Sequence, residues 1–269
     1  VNARRTPKVP GGSRNVFAHG SRPEDNPAMD PFVLTTDRLE LRPFAPADTD
    51  EVFRAVQDPD ILRWTTIPSP YAYEDAVHFV EQISGAGLRA GTGFHFAVRA
   101  RGGGPLLAAV AVGVLLPPGV WELGYWTAKP HRGLGYVTEA ATEVIRWALT
   151  TLPVDRLMWR AEVGNEPSRA VARRLGFTME GIQRAGTVHQ GVARDTWTGS
   201  LLPWDLGLPG PRPYLPARPD TEARPGTGAR PGAETGARPE AETGARPQAE
   251  TGARPEAKIA PGPDVSAAL

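Results

Sequence analysis

From Glu122 to Ala140 the sequence runs Glu-Leu-Gly-Tyr-Trp-Thr-Ala-Lys-Pro-His-Arg-Gly-Leu-Gly-Tyr-Val-Thr-Glu-Ala, a strand-like stretch joined to a helix by a turn that holds Arg132, Gly133 and Gly135. Glycines let backbone amides come close to an anion. The first turn of the following helix adds unpaired N–H groups and a partial positive charge of about half a unit. A phosphate-bearing ligand is expected here, with the chemistry beside it.

Overall charge says little about partners. Lys+Arg 30 balances Asp+Glu 30 in 269 residues, which favours neither nucleic acid nor an anionic membrane. Of the 29 Pro, 17 fall in residues 1–31 and 209–269, leaving the length of one globular domain between the two ends. Without cysteine, disulfides, thiolate nucleophiles and cysteine metal sites are excluded, which fits a reducing compartment; a cytoplasmic protein is expected. Residues 1–30 lack the apolar run of a secretory signal. The longest apolar stretch, Leu106 to Val120, is broken by Pro117 and Pro118 and reads as a buried strand, short of the about 20 residues of a membrane helix.

Residues 1–31 mix Gly, Pro, Arg and Asn without periodicity and are expected to form a disordered arm. The domain is expected over 32–208. A Pro/Arg/Glu/Gly-rich tail follows over 209–269, in which Arg230, Arg238, Arg246 and Arg254 recur eight residues apart, each before a proline. That period matches no solenoid unit, so the tail is expected to be disordered. Its seven basic and seven acidic residues between Ala217 and Lys258 give little attraction for phosphate.

Between the ends, strand and helix patterns alternate. Leu39 to Phe44 reads as a strand, and Asp48 as the cap of a helix with Val52, Phe53 and Val56 on one face. Tyr73 to Ile83 reads as a second helix, ended by the glycines from Gly85. Strands at 94–100 and 106–116 flank Gly102-Gly-Gly-Pro105, and Val120 to Thr127 is a further strand. The helix after the glycine turn runs to about Leu149, with Ala140, Ala141, Val144, Ile145 and Ala148 inward. Leu157 to Val163 is a strand, Glu166 to Leu175 a helix stopped by Gly176, and 177–186 with 192–201 a closing hairpin. The order is β-α-α-β-β-β-α-β-α-β-β.

Two nucleotide-binding readings of the glycine turn fail. A nucleotidase-type loop ends in Gly-Lys-Ser/Thr, whereas Gly135 precedes Tyr136 and Val137. A dinucleotide fold needs a third glycine where Thr138 stands and an acid closing the next strand, yet Asp155 precedes that strand.

The element order, with Arg132-x-x-Gly135 opening the third helix and Asn165-Glu-Pro-Ser168 leading to Leu175-Gly-Phe177, resembles the GNAT superfamily of acyl-CoA-dependent N-acetyltransferases. Thr36-Asp-Arg-Leu-Glu-Leu-Arg-Pro-Phe44, Gly135-Tyr-Val-Thr-Glu-Ala140 and Gly191-Val-Ala-Arg-Asp195 are similar to the branch that includes the ribosomal-protein alanine N-acetyltransferases. The likeness spans about Val33 to Leu208. It implies an α/β (α+β) fold with a mixed, mostly antiparallel sheet of about seven strands, helices on both faces, and two strands splayed at the acyl-CoA site.

By that resemblance, the amides of Gly133, Leu134, Gly135, Tyr136 and Val137 face the pyrophosphate of acetyl-CoA, with Arg132 as a charge partner or, alternatively, an exposed strand-end arginine. Val137 departs from the small residue of the family pattern. Tyr125, Trp126 and Thr127 offer backbone groups to the pantetheine arm, unless their strand pairs ordinarily. Asn165 and Ser168 contact the distal pantetheine and the leaving thiol, and can also cap the helix that Pro167 enters.

Acyl transfer needs a neutral amine. At pH 7 an α-amine with a pKa near 8 loses its proton for about 1 kcal/mol, against about 4.6 kcal/mol for a lysine near 10.4. Glu122 is the candidate base; the competing reading is an ion-paired strand glutamate. Many members carry a tyrosine at the eighth position of the segment that begins at Asn165, where this chain has Ala172, so Ser168 is the candidate acid for the thiolate. Trp64, Tyr71 and Tyr73 are candidates for the acceptor wall, with core packing as the alternative. His95 is assigned no role, and the five histidines lack the paired spacing of a metal site, so no metal is expected.

The expected activity is acetyl transfer to a primary amine, a protein N-terminal α-amine first. The alternatives are a polyamine- or aminoglycoside-type acceptor, or a noncatalytic acyl-CoA-binding scaffold. A monomer and a homodimer are both compatible with the sequence.

Overall fold

In the computed structural model, residues 32–115 and 117–217 are described; the expected arm at 1–31 and most of the repeat tail lie outside them. Eight strands form one sheet in the order β1-β2-β3-β4-β5-β6-β8-β7. They are β1 (Leu34–Thr35), β2 (Leu39–Pro43), β3 (Gly93–Ala100), β4 (Ala108–Leu115), β5 (Val120–Thr127), β6 (Arg156–Glu162), β7 (Thr178–His189) and β8 (Val192–Leu201). Every neighbouring pair is antiparallel except β5 with β6. The strand beyond the seven expected is β1, a two-residue edge with no sequence period of its own.

Helices cover both faces. On one face α5 (Tyr136–Thr151) and α6 (Glu166–Arg174) pack through Ala140, Ala141, Val144, Ile145, Ala148 and Ala172 against Phe94, Phe96, Val98, Trp121 and Leu123. The alanines let α5 approach the sheet closely. On the other face α1 (Thr49–Val56), α2 (Pro59–Trp64) and α3 (Tyr73–Val77) bury Val52, Val56, Ile61 and Ala76 against Ala97, Ala109 and Trp126. Alternation in β3 sends Phe94, Phe96 and Val98 to the first face and leaves His95 against Phe79 on the second.

Two local expectations are corrected. Asp48 does not cap α1: its carboxylate accepts from the Ala45 amide and from Arg42 and Arg99, so it ties β2 and β3 to the start of the helix. The glycines from Gly85 do not end the second helix. A π-helical stretch, His78–Ser84, carries it into α4 (Gly85–Ala90), which stops only at Gly91, φ 64°. The short helix α2 lies outside the expected elements; Asp58 accepts from the Asp60 amide and Pro59 sits at its first helical position. Past the expected boundary at Leu208, Arg212 still binds Asp155 (Nε to Oδ2 2.7 Å) and the Pro118 carbonyl (2.8 Å). Among the described residues no helix is long and apolar enough to cross a membrane.

Candidate active site

The sheet forks between β5 and β6. Their parallel register runs from Val120↔Arg156 only to Glu122↔Met158, although β5 continues to Thr127 and β6 to Glu162. Each strand stays paired on its other edge, β5 with β4 and β6 with β8. Past the fork, the facing backbone edges border a cavity of about 680 Å³ that Leu123 to Thr127 and Trp159 to Glu162 line. A chain-like ligand can hydrogen-bond there as a strand would.

The glycine turn closes one end of this slot. Gly133 and Gly135 adopt φ of 75° and 80°, a region open to glycine at little cost. Gly135 is the N-cap of α5, and the helical ladder starts with the Glu139 amide on the Gly135 carbonyl, 3.1 Å, so the amides of 136–138 precede it. Of the six residues from Arg132 to Val137, the cavity is lined by Arg132, Gly133 and Val137; Leu134 is exposed, and Tyr136 lies under the Arg38 guanidinium at 4.9 Å. Arg38 also binds Glu139 (Nε to Oε2 2.7 Å), as does the Thr36 hydroxyl. Two segments about a hundred positions apart, Thr36-Asp-Arg38 and Gly135 to Glu139, thus brace one turn. Burial pushes the Glu139 carboxyl up, but Thr36 and Arg38 outweigh it and hold it below the usual range. The Arg132 guanidinium is engaged by Asp58 and by Asp60 (2.9 Å), so its charge is already partnered.

At the fork, Glu122 is buried and forked onto Arg160, with Nε to Oε1 2.8 Å and Nη2 to Oε2 3.0 Å. The structure thus favours the ion-paired reading of this residue over that of a free carboxylate. On the opposite face Asn165 caps α6, its Oδ1 accepting from the Ser168 amide at 3.2 Å. The Ser168 hydroxyl accepts from Trp159 Nε1 at 3.1 Å and donates to the Tyr125 hydroxyl at 3.3 Å. Tyr125 in turn donates to the Ser168 carbonyl at 2.9 Å. Burial pushes the Tyr125 phenol up, against hydrogen bonds at Ser168, Trp159 and the Ala172 backbone, so it stays protonated at neutral pH.

The other mouth of the cavity is built by α2, the end of β6 and the β7–β8 hairpin. Trp64 lines it; Tyr71 and Tyr73 do not. Tyr71 is buried in the second core, and Tyr73 is exposed, donating to Asp50 at 2.8 Å and packing on Phe53. Arg63 grips Glu162 with two bonds, 2.8 and 2.7 Å, which hold that carboxyl below its usual range.

A profile of the Acetyltransferase (GNAT) domain matches residues 38–178, more than half of the chain. The chain belongs to the GNAT family. It is therefore an N-acetyltransferase, an acyltransferase whose donor is acetyl-CoA and whose acceptor is an amine. It is similar to "Putative ribosomal N-acetyltransferase YdaF" of Bacillus subtilis, 43% identical over 81 residues that cover 30% of this chain and 44% of that protein. It is also similar to the uncharacterized N-acetyltransferase p20 of Bacillus licheniformis, 25% identical over 63% of this chain and 96% of p20. The same fold occurs in RimL, a ribosomal L7/L12 α-N-protein acetyltransferase solved with coenzyme A, at TM-score 0.56 and 18% identity over 64% of this chain and 98% of that one.

The features that GNAT motifs left unread are contacts between distant segments. Beyond its backbone, Tyr125 brings a phenol to Ser168 and to the backbone of Ala172, the position where many GNAT proteins carry their tyrosine. His189 belongs to no motif in the sequence. Its one visible signal was its place directly before Gln190-Gly191, a two-residue hairpin turn.

Proposed function

We propose that the protein transfers the acetyl group of acetyl-CoA to the α-amine of a protein N-terminus by direct attack on the thioester. The fork between β5 and β6 carries this reading, because it joins the glycine turn to the mouth at Trp64 through one continuous cavity. The exposed amides of the turn fit a diphosphate, and the free strand edges fit the amide-bearing arm behind it. Tyr125, Trp126 and Thr127 would hold that arm from β5, and Asn165 and Ser168 from α6. Ser168, backed by Tyr125, would return a proton to the departing thiolate.

Charge favours a singly charged acceptor. The three carboxylates lining the cavity, Asp60, Glu122 and Glu162, are each bound by an arginine, Arg132, Arg160 and Arg63. A polyamine or an aminoglycoside needs several uncompensated carboxylates, whereas one α-ammonium does not. The names of YdaF and RimL point the same way. A cytoplasmic setting belongs to the same reading and agrees with a chain free of cysteine.

The test is a mass-spectrometric screen of acetylated products from N-terminal peptides, polyamines and aminoglycosides, with thermal shifts against acetyl-CoA, ATP and NAD. Acetylated peptide α-amines and a shift with acetyl-CoA alone are expected. Turnover confined to polyamines or aminoglycosides would overturn the acceptor, and a shift without any turnover would favour a scaffold.

A further inference from the structure

His189 closes β7 and pairs with Val192 across a turn in which Gln190 and Gly191 both have positive φ, 49° and 75°. That turn folds the imidazole over α2. Nε2 lies 3.1 Å from the Leu62 carbonyl, which can only accept, so Nε2 carries the hydrogen and Nδ1 of the neutral ring is an acceptor. Nδ1 stands 3.8 Å from Glu162 Oε2, too far for a hydrogen bond between them. Two acceptors therefore lie side by side at the edge of the cavity, His189 being only 8% exposed. A third group is near: Thr196 pairs with Glu162 in the β6–β8 register, lines the same cavity, and has a buried hydroxyl oxygen without a partner among the described residues.

We infer that His189, Glu162 and Thr196 form the seat for the acceptor's primary ammonium group, and that His189 Nδ1 is the base that takes its proton. The inference rests on the functional reading above and assigns its chemistry to residues. A primary ammonium has three N–H donors for three acceptors. Glu162, held by Arg63, stays anionic and stabilises the imidazolium rather than binding the proton itself. Glu122 is engaged at both oxygens by Arg160 and is the poorer base.

The protons balance. One leaves the ammonium for Nδ1 and passes to solvent. The neutral nitrogen then bonds to the acyl carbon as the C–S bond breaks with its pair on sulfur. The surplus proton of the nitrogen goes to the thiolate through Ser168 and Tyr125, giving amide and thiol.

The experiment uses the full chain and two forms of the peptide acceptor found by the screen, one with an ordinary N-terminus and one with a fluorinated N-terminal residue whose amine is already neutral at pH 7. For His189→Gln, kcat/KM at pH 7 is expected to fall about a hundredfold with the ordinary amine and only a few-fold with the fluorinated one. The deficit should shrink toward pH 9, as the amine deprotonates unaided. Glu162 is the charged group 3.8 Å from the ring, and Arg63 and Arg194 act on that carboxyl, so Glu162→Gln is measured beside it. That variant should raise KM and show the same dependence on amine basicity, and it decides the matter if His189→Gln does not fold. A loss equal for both amines and flat with pH, or retention of more than half the activity, overturns the seat while leaving the transferase reading intact. A wild-type chain that acetylates no amine overturns both.

Discussion

Acidification should destabilise this protein in a window set by one buried histidine. His95 is 4% exposed on β3, edge-on to Phe79, and neither ring nitrogen has a hydrogen-bond partner among the described residues. Burial alone lowers its pKa from 6.5 to about 4. The folded state therefore refuses a proton that the unfolded chain accepts. Its contribution is whole above pH 6.5 and is lost as pH falls from 6.5 toward 4. A shift of that size corresponds to about 3 kcal/mol in all, of which about 2 kcal/mol is gone by pH 5. The carboxyls held low by arginine partners, Asp48, Glu139, Glu162 and Glu180, start from ordinary values of 3.8 to 4.5, so their losses come below pH 5. Urea unfolding at pH 7, 6, 5.5 and 5 isolates His95. Stability should fall by about 1 kcal/mol per pH unit near pH 5.5, and His95→Leu should flatten that slope. A wild-type midpoint that stays level from pH 7 to 5, or a leucine variant with the wild-type slope, would refute the reasoning.

Gly135→Ala should lower stability by about 1 kcal/mol, since an added Cβ meets only Arg38 at 3.7 Å and the cost is the left-handed backbone; calorimetric titration should show weaker acetyl-CoA binding. Arg38→Ala should change unfolding free energy by less than about 1 kcal/mol, because the pair is half exposed, yet reduce acetyl-CoA affinity through a looser turn. Asp60→Asn frees part of Arg132 and should tighten acetyl-CoA about threefold, with a steeper salt dependence; unchanged affinity would show that Arg132 does not reach the diphosphate. Tyr125→Phe should lower kcat at least about tenfold with little change in acetyl-CoA affinity, and a kcat within twofold of wild type would remove Tyr125 from the proton path.

Local pattern made some elements legible to the residue. The whole of β5, Val120 to Thr127, followed from its apolar run, and the inward face of α5 from spacings of three and four. The continuation of the second helix was hidden because Gly85 and Gly87 signal a stop, while tertiary packing carries the chain through them. At Gly87 the close approach even requires glycine, since a Cβ would stand 2.8 Å from the Gly93 carbonyl. The site divides the same way. Its glycine turn was legible because the motif is contiguous. The partnering of Arg132 by Asp58 and Asp60, more than seventy positions away, was not, and neither was His189 on Leu62, 127 positions away. Between wall and core for Tyr71 and Tyr73 the sequence left both open, because an aromatic cluster beside a presumed pocket has the same composition as a core; Tyr71 lies in the second core and Tyr73 on Asp50.

A fork in a sheet must be held open without the hydrogen bonds that normally set strand spacing. Here arginine–carboxylate pairs fix that spacing. Glu122 occupies the last paired position of β5, and Arg160 lies two residues beyond its partner Met158 on β6, so their forked contact spans the point where the ladder ends. Arg132 ties the glycine loop to α2, and Arg63 ties α2 to the end of β6 through Glu162. These contacts form a ring of elements around the slot. The buried pair at Glu122 contributes little net stability, because desolvation offsets attraction, but breaking it leaves a buried charge and costs about 3–5 kcal/mol, whereas the more exposed pairs cost far less. Together these pairs suit a site whose width must not drift. On this account the burial of Glu122 serves geometry, and the base belongs where a neutral acceptor is left with its lone pair exposed, at His189.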